Sequence, residues 1–224
     1  MKILVFDDNP VHRKAAEAQL KDHDLTVVGT YDEAQKLLTP WIDYDRRAAI
    51  LQEQFGNYSS CQFDDEGKKA YFAAMKVASE QATTYPNFDV VLTDLLVPPS
   101  TLQQGQDMPL RFPKEEMPVG IFIGLLGAVK AGAKYVAVFT DSSHHAHPAS
   151  ACFDAFSRHP GEEWQPAAFS VGETKFILCN NRGWVRKYDP SDLSKPLEGE
   201  AAYNRTDTVR AKNWEALLEY LLVQ

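Results

Sequence analysis

The sequence predicts an α/β fold, an open parallel sheet with helices packed on both faces. Three observations carry that expectation. Short apolar runs recur along the chain, as strands buried on both faces of a parallel sheet require. Segments with helical spacing separate them, so that strand and helix alternate five times. Three of the runs also close on Asp or Thr, at the sheet edge where doubly wound folds hold their ligands.

The elements follow in order. Residues 3–6 (Ile-Leu-Val-Phe) form the first run, closed by Asp7, Asp8 and Asn9. Asn9 can cap a helix and Pro10 suits its first turn, so 11–21 reads as helix. Residues 25–29 are a second short strand. Asp32 caps a helix that ends at Leu38, before Pro40. The third strand comes only at 89–93 and ends at Asp94. A loop rich in Pro and Gln spans 97–118, and 119–131 reads as helix. Residues 135–140 are the fourth strand, 149–157 a short helix, and 175–179 (Lys-Phe-Ile-Leu-Cys) the fifth strand. Residues 213–222 close as an amphipathic helix with Trp214, Leu217, Leu218 and Leu221 on one stripe. Right-handed crossovers would follow from this order.

Three stretches exceed that plan. Residues 41–85 contain two helix-like pieces, 46–55 and 66–81, joined near Gly56. The loop 97–118 begins next to Asp94, where a lid would sit, because loops longer than about 12–15 residues are usually functional or disordered. Residues 181–212 are polar, with Pro190 and Pro196. The expected organisation is one domain, 1–224, with these three insertions.

The totals exclude several classes. The chain has 224 residues, 31 acidic against 23 basic, and a formal net charge of -8. That balance argues against nucleic acid as a partner, which requires a basic surface. Cys61, Cys152 and Cys179 are scattered and odd in number, which suits a reducing compartment. The first residues are too acidic for a signal peptide. The most apolar helix segment, 119–129, is about half of a bilayer span. The expectation is a cytoplasmic protein without a membrane partner.

In an open parallel sheet, Asp7, Asp8, Asp94, Thr140 and Asp141 would converge beyond the carboxyl ends of the strands. Strand ends also carry Asp simply as helix caps, but the joint pattern goes further. Converging carboxylates repel unless a cation neutralises them, and Mg²⁺ is the natural hard ion for oxygen donors. A carboxylate so placed can also act as a nucleophile toward phosphorus.

Three segments carry a resemblance in order: Ile-Leu-Val-Phe-Asp-Asp-Asn-Pro at 3–10, Asp-Val-Val-Leu-Thr-Asp-Leu at 89–95 and Val-Ala-Val-Phe-Thr at 136–140. Together they resemble the receiver domain of response regulators in two-component signal transduction. The resemblance covers about 1–40, 86–96, 119–180 and 213–224. It implies a five-stranded, doubly wound, flavodoxin-like sheet. It implies that Asp7, Asp8 and Asp94 hold Mg²⁺ with the main-chain carbonyl of Leu96. It also implies a phosphoprotein in which Asp94 accepts the phosphoryl group and the Thr140 hydroxyl follows it. Receivers carry a lysine at the end of the fifth strand. Here Cys179, Asn180 and Asn181 stand there, and Lys195, followed by Pro196, is the first replacement to check.

The expected function is a stand-alone receiver-like signalling protein acting through protein–protein contacts, with a sensor kinase or another signalling protein as partner. The alternatives are a degenerate pseudo-receiver without phosphorylation and an Mg²⁺-dependent phosphohydrolase. The usual Asp-x-Asp signature of aspartate-nucleophile phosphatases is missing after the first strand. Gly120, Gly124 and Gly127 share one side of their helix, for close packing on the sheet or for a homodimer contact. His144, His145 and His147 after the fourth strand match no standard zinc spacing; a loop near the phosphate site or a transition-metal site are the open readings.

Overall fold

The computed structural model describes residues 1–56, 64–100, 116–142, 147–153, 166–180 and 184–223. The chain opens with β1 (Lys2–Phe6), α1 (Pro10–Gln19), β2 (Asp24–Val28) and α2 (Tyr31–Leu38). Then come β3 (Trp41–Ile42), α3 (Tyr44–Phe55), α4 (Asp65–Gln81) and β4 (Thr83–Thr84). The middle holds β5 (Val90–Asp94), α5 (Gly120–Val129), β6 (Tyr135–Phe139) and α6 (Pro148–Cys152). The last third holds β7 (Ala167–Val171), β8 (Thr174–Cys179), β9 (Val185–Tyr188), α7 (Gly199–Asn204), β10 (Val209–Lys212) and α8 (Trp214–Val223). These elements form two compact units, residues 1–38 with 87–224, and residues 39–86.

The larger unit is built on a mostly parallel sheet of six strands in the order β2-β1-β5-β6-β8-β7. The expected five parallel strands are β1, β2, β5, β6 and β8. The expectation of a five-stranded, wholly parallel sheet is corrected by β7, which runs antiparallel to β8 at the edge. Gly172 turns the chain between them at φ 61, a left-handed conformation that suits glycine. β7 escapes a sequence reading because three successive residues, Ala168, Phe169 and Ser170, are exposed. It shows neither a buried run nor a clean alternation.

Alternate residues of each central strand feed two cores. Leu4, Phe6, Val91, Val136 and Val138 pack against α2 and α5 through Ala34, Leu38 and Ile123. Ile3, Val5, Leu92, Ala137 and Phe139 pack against α1 and α8 through Ala15, Ala16, Trp214, Leu217 and Leu221. Burial of a large apolar side chain is worth roughly 1.5–3 kcal/mol, so both helix layers are held chiefly by this packing.

The three glycines of α5 face the sheet. A Cβ on Gly124 would lie 2.9 Å from the Phe176 ring, and one on Gly127 would lie 2.9 Å from Val91. A Cβ on Gly120 would lie only 1.7 Å from the carbonyl oxygen of Asp94. Close packing of helix on sheet therefore accounts for the spacing.

The end of the chain is more ordered than the polar composition of 181–212 suggests. β9 and β10 form an antiparallel hairpin that pairs Val185 with Lys212 and Arg210 with Lys187. The expected helix at 149–157 is described only as α6, ending at Cys152. The rest of that helix, most of the 97–118 loop, and His144 and His145 lie outside the described residues. Val97 and Met117 bridge the neck of that loop. Among the described residues no helix is long and apolar enough to cross a membrane.

The smaller unit is a helical pair closed by a short ribbon. Asp43 and Asp64 cap α3 and α4, accepting from the amides of Arg46 and Gly67 at 2.9 and 2.7 Å. Phe55 and Tyr71 meet edge to face at 5.5 Å, and Leu51 and Ala78 are buried. The expected helical pieces at 46–55 and 66–81 are these two helices.

Candidate functional site

The chain enters the sheet at β1, places β2 on one side, and then crosses to β5 on the other. Strand order therefore reverses at β1, and the crevice between β1 and β5 is the switch point where doubly wound sheets bind ligands. Asp7 and Asp8 leave the end of β1, and Asp94 is the last residue of β5. Their carboxylates converge, with one ligand oxygen from each lying within 4.8 Å of the others.

Local backbone chemistry holds each acid in place. Asp7 Oδ1 accepts from the Asn9 amide at 2.9 Å, and the Asn9 side chain then caps α1 by accepting from Val11. Arg13 reaches back from α1 and donates to the carbonyls of Asp7 and Asp8 at 2.8 and 2.6 Å. Asp94 Oδ1 accepts from the Leu95 amide at 2.8 Å. The carbonyl of Leu95 accepts from the Gly120 amide at 3.0 Å, which seats α5 against this corner.

A lysine lies between the buried acids. Lys212 Nζ is 2.7 Å from Asp7 Oδ2 and 2.9 Å from Asp94 Oδ1, and donates to the Phe139 carbonyl at 3.2 Å. Lys212 and Asp7 are fully buried, and Asp94 is 5% exposed. The rings of Phe139 and Trp214 stand 5.1 and 5.3 Å from the ammonium, at cation–π distance. Lys195, by contrast, sits in the turn after β9 beside Asp192, and the ammonium at Asp94 is that of Lys212.

The electrostatics follow from burial and charge. Burial works against the Lys212 charge, but the carboxylates of Asp7, Asp94 and Asp141 outweigh it and hold the ammonium above the usual lysine range. Burial pushes the Asp94 carboxyl well above its ordinary range, against the opposing pull of Lys212. Burial also raises Asp8, helped by the negative charge of Asp7 and of nearby Glu116. Asp8 and Asp94 thus hold protons more readily than ordinary carboxyls do.

The remaining expected residues take their places around this centre. Thr140 is buried at the end of β6, and its hydroxyl accepts from the Ser142 amide at 3.1 Å. Asp141 Oδ2 lies 3.1 Å from His12 Nε2 on α1, and that hydrogen bond lowers its pKa. Leu96 follows β5 by two residues, its side chain buried in the core. His147 caps α6, its Nδ1 accepting from the Ala149 amide at 3.1 Å. Cys179, at the end of β8, is fully buried, and burial pushes its thiol up.

Sequence reasoning missed Lys212 and its clamp. Gln19, at the end of α1, donates to the carbonyls of Leu193 and Lys212 at 3.0 and 3.2 Å. Its Oε1 accepts from the Trp214 amide at 2.7 Å. Trp214 Nε1 donates to the His12 carbonyl at 2.9 Å. Helix α1 therefore fixes the backbone that leads from Lys212 into α8. The available signal was positional, since Lys212 immediately precedes the last amphipathic helix and follows Val209 and Ala211 at alternate places.

The donor set suits a hard divalent cation. It offers carboxylate oxygens alone, without thiolate or imidazole. Asp7 already takes two hydrogen bonds, but a carboxylate has about four lone-pair sites, so it keeps capacity for a metal. No family model matches the chain, and no curated protein or solved structure matches it.

Proposed function

We propose that this chain is a receiver-like signalling protein that holds a divalent cation at Asp7, Asp8 and Asp94 and accepts a phosphoryl group on Asp94. The observation that carries the reading is the Lys212 ammonium, 2.9 Å from Asp94 and 2.7 Å from Asp7. It supplies the direct cationic partner that the end of β8 lacks. The parallel strands alone follow the order β2-β1-β5-β6-β8, that of flavodoxin-like doubly wound sheets. This order supports the finer reading of the fold.

In this reading a carboxylate oxygen of Asp94 attacks the phosphorus of a small phosphodonor. A phosphorus–oxygen bond forms, the bond to the donor's leaving group breaks, and the leaving group departs with its electron pair. Lys212 and the Thr140 hydroxyl stand ready to hydrogen-bond the new oxygens. Mg²⁺, when bound, would offset the charge of the carboxylates and of the transferred group. Asp7 and Asp8 would hold it, with Leu96 offering a main-chain carbonyl. Output passes through protein–protein contacts, with a sensor kinase or another signalling protein as partner.

The test is incubation with Mg²⁺ and acetyl phosphate, read by intact mass, with beryllium fluoride followed by intrinsic tryptophan fluorescence. The expected result is one adduct that Asp94→Asn abolishes, with Mg²⁺ affinity lowered about tenfold or more in Asp8→Asn. Absence of any adduct or fluorescence change at high donor concentration overturns phosphorylation and leaves an interaction module. Steady turnover of a phosphate ester would instead mark a phosphohydrolase.

A further inference from the structure

The hairpin that carries Lys212 has a second feature on its outer side. β9, β10, α7 and the Leu197–Glu198 edge enclose a groove of about 520 Å³. Arg186, Lys187 and Arg210 line it, with Glu198 as the only acid among the described residues of its lining. The volume lies in the range of specific binding pockets, roughly 300–1,000 Å³.

Lys187 and Arg210 share one face of the hairpin, while Arg186, one residue along β9, lies on the other face with Tyr188. Lys187 and Arg210 are directly paired across the hairpin, where side chains sit about 4.5–5.5 Å apart at Cβ and like charges are unfavourable. Among the described residues no acidic side chain forms an ion pair with Arg186, Lys187 or Arg210. Lys187 Nζ donates to the Ala202 carbonyl at 2.9 Å. The neighbouring acids are used elsewhere, since Asp189 and Asp207 both pair with Arg205. The walls are fixed as well, because the Leu197 amide donates to the Lys187 carbonyl at 2.8 Å. Tyr203, 89% exposed, forms an aromatic rim.

A compact basic groove on a chain of net charge -8 marks local complementarity rather than general attraction. Guanidinium forks match carboxylates in two-point contact, and an open, solvent-facing groove on a hairpin suits an extended segment. The geometry points to this groove as the docking site for an acidic segment of a partner protein, rich in Asp or Glu. The inference names the partner surface for the contact-based function proposed above. The groove itself involves none of the phosphoacceptor residues, so the two readings fail separately.

The test is fluorescence anisotropy with a labelled hexaglutamate peptide and the full, unphosphorylated chain. The expected result is salt-sensitive binding, weakened about tenfold or more in the Lys187→Gln/Arg210→Gln double variant. A Lys14→Gln/Lys130→Gln control removes the same charge elsewhere and is expected to bind as the parent does. Thermal melting of each variant confirms that the fold is kept. Equal loss in both double variants, or no binding by the parent, overturns the proposal. Displacement by inorganic phosphate at low concentration, but not by chloride of equal ionic strength, would assign the groove to a small phosphate ligand and also overturn it. Failure of the acetyl phosphate experiment alone leaves this result standing.

Discussion

Lys212 and Asp7 meet at 2.7 Å across 205 residues of sequence, both fully buried. Breaking a buried pair by removing one partner costs about 3–5 kcal/mol, because the other charge is left uncompensated. Here Lys212→Met would leave Asp7 and Asp94 facing each other without a cation. The expected loss is of that size near neutral pH, measured by urea unfolding. Mg²⁺ should recover part of it, since the cation would take over the neutralisation. A variant as stable as the parent in the absence of metal would show that the pair contributes nothing.

The seating of α5 gives a second prediction. An added Cβ at Gly120 would meet the Asp94 carbonyl oxygen at 1.7 Å, and backbone cannot move aside cheaply. At Gly124 and Gly127 the nearest atoms are side-chain atoms at 2.9 Å. Overpacking typically costs about 1–3 kcal/mol and occasionally more. Gly120→Ala should therefore destabilise most, beyond about 3 kcal/mol, and should also disturb cation binding through Asp94. Comparative denaturation of the three alanine variants checks the ranking. Equal losses would mean that α5 shifts freely on the sheet.

Most of the sheet was legible because its strands are buried on both faces. Ile3–Phe6, Val90–Leu92 and Val136–Phe139 are fully buried, and such runs announce themselves without any partner in view. The carboxylates were legible because strand ends in a doubly wound sheet share one edge. The strands β7, β9 and β10 were not legible. Their faces are half polar, with Arg186, Lys187 and Arg210 exposed, and their pairing is set by tertiary contacts. Lys212 was lost for the same reason. A lysine at the end of a polar stretch reads as solvated, and only the folded hairpin brings it to Asp94.

The bond between His12 and Asp141 sets a pH dependence. Hydrogen bonding to His12 lowers the folded pKa of Asp141, against the opposing effect of burial. The unfolded value is near the ordinary aspartate pKa of about 3.9. The folded state therefore binds fewer protons at this site, and the stabilisation is full above that value. It is lost as pH falls through the lower folded value. Asp141 is 46% exposed, so solvent screening keeps the contribution below about 1 kcal/mol. Asp141→Asn should be less stable than the parent near neutral pH, and the gap should close as the pH falls through the lowered folded value. A gap unchanged with pH would assign the loss to packing.

Gln19 provides the last prediction, because it separates the lysine's position from its charge. Its amide holds the Lys212 carbonyl at 3.2 Å and the Trp214 amide at 2.7 Å, where the backbone passes from Lys212 into α8. Gln19→Leu keeps a similar volume but leaves both backbone groups without that partner. Each buried group stripped of its hydrogen bond costs about 1–3 kcal/mol, so the expected loss is about 2–4 kcal/mol by chemical denaturation. If the clamp aims Lys212 at Asp94, Gln19→Leu should also slow adduct formation from acetyl phosphate at temperatures where the variant is fully folded. Gln19→Glu should restore the acceptor for Trp214 but not the donors for Leu193 and Lys212, giving an intermediate rate. A folded Gln19→Leu variant with the parent's rate would reduce Gln19 to a structural fastening.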